Sequence, residues 1–132
     1  MVRKAAMYAS LFSIALGSIL GGWLRWIIGL KLNNLHPHIP FGTVFVNLIG
    51  GFIIGFAVSY FASANINPAY KLFIVTGFCG AFTTFSTFSL EVLVMLQEGK
   101  LMVAFSTIAI HVIGALLFTL LGMLCHNFLA QG

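Results

Sequence analysis

The chain is 132 residues long, of which 61% are hydrophobic and 6% are charged. Soluble domains carry about 25% charged and about 45–50% apolar residues, so these proportions exclude a water-soluble globular protein. The net charge of +4 comes from basic residues spread along the chain, which form no basic patch, so nucleic acid is not an expected partner. The composition indicates an integral membrane protein, and the length fits one domain.

Four apolar stretches follow one another along the chain, separated by short connections that contain Asn, Pro or Gly. A helix needs about 20 residues to cross a bilayer, and in lipid its backbone polar groups must be bonded within the helix. We therefore predict an all-α integral membrane domain over residues 1–132. Its four transmembrane helices are expected at about residues 5–30, 41–62, 71–97 and 101–128.

The basic residues are balanced between the two sides of the membrane. With four spans both termini share one side, which holds Arg3, Lys4 and Lys71, while the opposite side holds Arg25, Lys31 and Lys100. The positive-inside rule needs a bias of Lys and Arg to fix an orientation, and this chain has none. We therefore expect dual topology, in which oppositely inserted copies pair as an antiparallel homodimer.

Small and polar residues recur at every fourth position on three spans, which places each set on one helix face. These stripes are Ser13, Gly17, Gly21 and Arg25 on the first span, Thr43, Asn47, Gly51, Gly55 and Ser59 on the second, and Thr107, His111, Ala115 and Thr119 on the fourth. The glycines predict close helix packing. Asn47 is a candidate pathway residue, because an unbonded amide is costly in hydrocarbon.

Two members of these stripes have open interpretations. His111 is either a buried, hydrogen-bonded imidazole or a donor on the side of a pore. Arg25 is either an anchor that reaches toward the membrane surface or a source of attractive potential for an anion.

The third span has an unusual composition, with TGFCGAFTTFSTFS at residues 76–89. Gly77 and Gly80 weaken a helix, and the neighbouring hydroxyl groups can pair backbone groups that a break would free. We predict that the third helix is broken mid-span. Free carbonyls at this depth must be buried in protein or line a cavity, and without acidic side chains they suit a hard monovalent cation such as sodium.

The same stretch offers chemistry for a small anion. The edge of a phenyl ring carries partial positive charge, and Phe85 and Phe88 share one helix face. Together with amide and hydroxyl donors, such edges can hold an anion weakly enough for its release, which conduction requires.

Three segments of the chain resemble the motifs of a known family. The string TGFCGAFTTFSTFSLE closely resembles the third-span signature of the Fluc/CrcB fluoride channels. GTVFVN at residues 42–47 resembles their second-span motif, and GGWLRW around Arg25 resembles the first. The resemblance covers essentially the whole chain. It implies an antiparallel, dual-topology homodimer with two pores in the plasma (inner) membrane, which exports fluoride passively and so lowers its toxicity.

The resemblance also implies roles for individual residues. The fluoride pore would be lined by Phe85, Phe88, Asn47, Ser86, Thr87, His111 and Thr119, with Glu91 near a vestibule. Backbone carbonyls of Gly80 and Thr83 from both subunits would hold a structural sodium ion at the dimer centre. A serine is common in the family where this chain has Ala115, which leaves a gap in the fourth-span polar track.

Other functions are less well supported by the sequence. A small dual-topology exporter of hydrophobic cations needs a carboxylate at mid-membrane depth to exchange cation and proton, but Glu91 and Glu98 both lie toward the end of the third span. A membrane subunit without transport leaves the hydroxyl and phenyl cluster unexplained. We predict no enzyme, because no nucleophile–base pair, metal-ligand set or nucleotide loop is recognisable.

Overall fold

The computed structural model describes residues 2–132, with side chains from Lys4 onward, so the side chain of Arg3 lies outside the described part. Four helical segments are long and apolar enough to cross a membrane: Lys4–Leu35, Phe41–Ser63, Pro68–Gln97 and Leu101–Ala130. We call them the first to fourth spans. The prediction of an all-helical protein with four such helices is confirmed, and the chain is a multi-pass membrane protein.

The first and second spans are nearly uninterrupted. Helix α1 covers Val2–Leu32 and continues into a short 3-10 turn at Asn33–Leu35, and α2 covers Phe41–Ser63. The connection between them is fastened by Asn33, whose side-chain oxygen accepts from the backbone N–H of Gly42 at 2.8 Å and of Thr43 at 3.3 Å. These two bonds satisfy donors at the start of α2 that have no partner within the helix.

The third and fourth spans each consist of several helical pieces. The third contains α3 (Pro68–Lys71), a π-helical stretch at Leu72–Cys79, α4 (Gly80–Phe82) and α5 (Phe85–Gln97). The fourth contains α6 (Leu101–Ala109), a π-helical stretch at Ile110–Gly114 and α7 (Ala115–Ala130). The sequence did not predict these wide turns, which often occur at functional sites.

Two residues with extended backbone separate α4 from α5. Thr83 has φ −84° and ψ 160°, and Thr84 has φ −151° and ψ 118°. Thr84 then begins α5 as its N-cap, because its hydroxyl oxygen accepts from the N–H of Thr87 at 3.1 Å.

Glycines set which spans pack together. A Cβ added at Gly21 would collide with the carbonyl oxygen of Phe78, so the first span lies directly against the third. A Cβ added at Gly55 would collide with the carbonyl oxygen of Thr119, and in this way the second span packs on the fourth. Close contact between small residues is how helices associate when both are surrounded by lipid.

Candidate functional site

Asn47 is bonded to the extended stretch of the third span. Its side-chain oxygen accepts from the N–H of Thr84 at 2.7 Å, and its amide nitrogen donates to the carbonyl of the same residue at 3.0 Å. The side-chain amide therefore pairs with Thr84 as a neighbouring strand would. Both polar atoms of this half-buried amide are therefore satisfied, as removal from water requires.

The same amide fixes the protonation pattern of His111. The second hydrogen of the Asn47 amide nitrogen points to Nδ1 of His111 at 3.0 Å, so Nδ1 acts as the acceptor and the ring proton lies on Nε2. Among the described residues, Nε2 has no hydrogen-bond partner although it is buried. The imidazole packs on Phe88 with ring centroids 4.5 Å apart. His111 therefore presents one unused N–H donor beside an aromatic ring.

Phe85 and Phe88 meet edge to face just after the extended stretch. Their centroids are 5.4 Å apart and their planes are inclined by 62°. Phe88 is buried at 7% exposure, whereas Phe85 is 76% exposed. The exposed ring presents its edges and faces to whatever lies next to the third span.

Two carbonyl groups near the extended stretch lose their helical donors. In a continuous helix the N–H of Thr84 would bond to Gly80 and that of Thr87 would bond to Thr83. Here the first donates to Asn47 and the second to the hydroxyl of Thr84. The carbonyl oxygens of Gly80 and Thr83 are thereby left available to another partner.

An open groove of about 460 Å³ collects most of the predicted site residues. It is lined by Asn47, Gly80, Thr83, Thr84, Phe85, Phe88, His111 and Thr119, together with small and aliphatic residues of all but the first span. None of the residues lining it carries a carboxylate. The groove combines phenyl rings with amide, hydroxyl and imidazole groups.

Three of the predicted residues lie outside this groove. Ser86 is exposed, with its hydroxyl 3.3 Å from that of Thr84. Thr87 receives a hydrogen bond from the Thr84 hydroxyl at 3.0 Å and lines a second groove of about 380 Å³, next to Arg25. Glu91 lies farther along α5 and accepts from the hydroxyl of Thr43 at 2.6 Å.

Glu91 lines a third groove, which is rich in titratable groups. Its other lining residues include His36, His38, Glu98 and Lys100 from the first and third connections. Lys100 lies 2.6 Å from the Glu98 carboxylate and 3.0 Å from Nδ1 of His38. The hydrogen bond and charge of this ammonium hold the pKa of Glu98 below its ordinary value.

The gap at Ala115 is visible in the fourth span. The hydroxyl of Thr119 donates to the Ala115 carbonyl at 2.8 Å and is therefore engaged within its own helix. Ala115 offers only a methyl group to the groove. Between His111 and Thr119 the lining is consequently apolar along the fourth span.

Sequence reasoning missed the roles of Thr84 and Arg25. In the sequence Thr84 resembles the neighbouring hydroxyl residues. In the structure its backbone bonds to Asn47, and its side chain bonds to Thr87 and Ser86. A Thr that follows a weakened helix and precedes a new apolar run is a typical N-cap, and this signal was available. The Nε–H of Arg25 donates to the carbonyl of Ala81 on the third span at 2.9 Å.

The fold and the groove define a small four-span membrane protein with a polar and aromatic groove beside the extended residues Thr83 and Thr84. A family model described as CrcB-like protein, Camphor Resistance (CrcB), matches residues 12–123. The chain belongs to this family.

Curated relatives agree over nearly the full length. The Fluoride-specific ion channel FluC of Acinetobacter baumannii (strain AYE) is 61% identical over 124 residues, which cover 94% of this chain and 98% of that protein. The protein of the same name from Acinetobacter baylyi is 55% identical over 125 residues, covering 95% and 99%. That from Pseudomonas paraeruginosa is 56% identical over 124 residues, covering 93% and 98%.

Proposed function

We propose that this chain is a fluoride-selective ion channel that exports fluoride passively from the cytoplasm and so lowers its toxicity. Relatives at 55–61% identity carry the name Fluoride-specific ion channel FluC. The observation that carries the proposal is that His111, whose buried Nε2–H has no hydrogen-bond partner among the described residues, lines one groove with Phe85 and Phe88, and that no carboxylate lines this groove. Such a surface attracts a small anion without binding it tightly.

Export needs no energy source other than the membrane potential. An elementary charge gains about 2.3 kcal/mol per 100 mV, and a negative interior drives an anion outward. In acidic surroundings fluoride enters as the neutral acid and is trapped inside as the ion, so an open exit is sufficient. The assignment makes the chain a channel and not an enzyme.

Selectivity would come from the spacing of the donors. Fluoride is small and strongly hydrated, so its shell is replaced only by donors that approach closely. We assign this role to the phenyl edges of Phe85 and Phe88 and the imidazole of His111, with Asn47 as the pore-side amide that positions this imidazole. Ser86, Thr87 and Thr119 are further polar lining, and Glu91 lies near the vestibule. Chloride is too large for the same contacts.

The working unit is an antiparallel, dual-topology homodimer in the plasma (inner) membrane. The groove is open along one side, and Phe85 at 76% exposure would be covered by a second copy. Lys4 and Lys71 lie at one end of the spans and Lys31 and Lys100 at the other, so no charge bias opposes insertion in both directions. In this arrangement the interruption at Thr83 and Thr84 lies mid-span, as the sequence predicts.

A structural sodium ion fits the same arrangement. The carbonyl oxygens of Gly80 and Thr83 have lost their helical donors, and neutral oxygen ligands suit a hard monovalent cation. A two-fold axis beside these residues would bring the same pair of carbonyls from the second copy. The ion would join the two interrupted helices at the dimer centre.

A proton-coupled exporter of hydrophobic cations is not favoured, because its mechanism needs a mid-membrane carboxylate. Glu91 lies toward one end of its span and is hydrogen-bonded to Thr43.

Fluoride efflux from reconstituted vesicles tests the proposal. Purified protein is placed in liposomes loaded with potassium fluoride. A potassium ionophore lets K⁺ leave together with the anion, so that no opposing voltage builds up, and a fluoride-selective electrode records release. Matched vesicles loaded with chloride serve as the control. Rapid fluoride release with chloride retained supports the proposal, whereas retention of fluoride or equal release of both halides contradicts it.

A further inference from the structure

We infer that Arg25 is a positioning residue: its Nε–H closes the end of the helical segment that precedes Thr83 and Thr84, and so holds the pore-lining residues that follow. The bond to the Ala81 carbonyl measures 2.9 Å and joins residues 56 positions apart in the sequence. The inference rests on the proposed function for its transport readout, but not for its structural one.

The carbonyls at the end of this segment can be followed one by one. The carbonyl of Cys79 accepts from the N–H of Thr83 at 3.0 Å and from its hydroxyl at 2.9 Å. The Ala81 carbonyl would bond to the N–H of Phe85 in an unbroken helix, but α5 begins anew at Phe85. Arg25 supplies the missing donor. Without it a half-buried carbonyl would lose its partner, which is costly.

The first span is shaped to deliver this donor. Gly17, Gly21 and Arg25 occupy one face at intervals of four residues. At Gly17 and Gly21 the helix backbone touches the third span directly, since an added Cβ would collide with the carbonyl oxygens of Phe73 and Phe78. Arg25 is the next position on that face, one turn farther along, where the third span's helical segment ends. This face of the first span therefore ends at Arg25, whose Nε–H bonds to the end of the helical segment on the third span.

A guanidinium is well suited to this position. The carbonyl end of a helix carries partial negative charge, which a cation stabilises. Arg25 also lines the second groove with Thr43, Thr84 and Thr87, so a purely electrostatic role, attraction of the anion, is the competing explanation. Two substitutions separate the Nε–H from the charge.

Arg25→Gln keeps an N–H donor at the side-chain position of Nε and removes the charge. Arg25→Lys keeps the charge but places a methylene at that position. Arg25→Met removes both. Lys31→Met, at an exposed position of the same helix, is the matched loss of one charge. Each variant is assayed for fluoride efflux and for backbone hydrogen exchange at Thr84 and Thr87, whose N–H groups are bonded only when the interruption is ordered.

We expect Lys31→Met to retain efflux and exchange rates near those of the unmodified protein. Arg25→Gln should lose only the contribution of the charge at the helix end, about two- to fivefold. Arg25→Lys and Arg25→Met should exchange at Thr84 and Thr87 about tenfold faster and conduct about tenfold less, because both leave the Ala81 carbonyl without its hydrogen-bond donor. Efflux of Arg25→Lys equal to or above that of Arg25→Gln overturns the inference. Unchanged exchange in the Lys and Met variants, or equal losses in all three, overturns it too. If the unmodified protein fails to conduct, only the proposed function falls, and the exchange rates still decide the role of Arg25.

Discussion

The side chain of Asn47 forms two hydrogen bonds with the backbone of Thr84, accepting from its N–H at 2.7 Å and donating to its carbonyl at 3.0 Å. A single side-chain amide thus bonds to both backbone groups of Thr84, the residue at which the helix of the third span is interrupted. The remaining hydrogen reaches Nδ1 of His111. One side chain of the second span therefore holds the third and fourth spans in register at the candidate pathway.

Asn47→Asp should abolish this arrangement. A carboxylate still accepts from the N–H of Thr84 but cannot donate to its carbonyl, so two acceptors would face one another in a half-buried place. His111 can bond to the carboxylate only by moving its ring proton from Nε2 to Nδ1, which removes its free donor. Such unsatisfied groups cost about 1–3 kcal/mol each. We expect fluoride efflux to fall at least about tenfold and thermal stability in detergent to decrease. Asn65→Ala, in the exposed second connection, is the control. Full efflux from Asn47→Asp would show that the clamp is dispensable.

Much of this architecture is predictable because it depends on local composition. The length of apolar stretches determines the four spans, and the cost of an amide in hydrocarbon marks Asn47. The hydrogen-bond partners of Asn47 and Arg25 are not predictable in this way. Each bond joins residues many positions apart, and several carbonyls could have accepted it. The π-helical turns likewise depend on how the spans pack. These features require the tertiary structure, which no local pattern specifies.

Phe85→Ile and Phe88→Ile test whether the two ring edges contact the ion. Both substitutions remove the ring edge that would meet the anion, and we expect fluoride efflux to fall at least about tenfold in each. Only Phe88 is buried, at 7% exposure, and it packs on His111. Phe88→Ile should therefore also lower thermal stability, whereas Phe85→Ile should leave the stability of the single chain nearly unchanged.

The matched control for Phe85 is Phe128→Ile, since Phe128 is 79% exposed at the far end of the fourth span. It should conduct normally. If efflux from Phe85→Ile and Phe88→Ile equals that of the control, the rings do not contact the ion.

Adjacent glycines on the first span predict opposite responses to alanine. At Gly21 a new Cβ meets the carbonyl oxygen of Phe78 and, at 3.0 Å, the amide nitrogen of Phe82, so the first and third spans must separate. Overpacking of this kind costs about 1–3 kcal/mol. At Gly22 nothing lies within 4 Å, and alanine should be neutral or stabilise the helix. Thermal unfolding of both variants in the same detergent provides the comparison; equal melting temperatures would contradict the packing described for Gly21.

Removal of sodium tests the availability of the Gly80 and Thr83 carbonyls. Protein purified and reconstituted with sodium replaced throughout by N-methyl-D-glucamine should lose fluoride efflux or dissociate, because four carbonyl oxygens would face one another without a cation. Returning sodium should restore efflux, and a large organic cation should not. Cross-linking before and after exchange records the assembly. Normal efflux from fully exchanged protein would remove the ion from the proposal.

Added lysines test dual topology. Three lysines appended after Gly132 should bias insertion toward one orientation, and Leu35→Lys with Gln97→Lys, at exposed positions of the opposite side, should bias it toward the other. Reporters fused to the C-terminus record each orientation. Because the proposed unit needs one copy of each orientation, either biased chain alone should give little fluoride efflux, whereas co-expression of the two should restore it. Full efflux from one uniformly oriented variant would rule out the antiparallel pair, because such a variant contains no oppositely inserted copies.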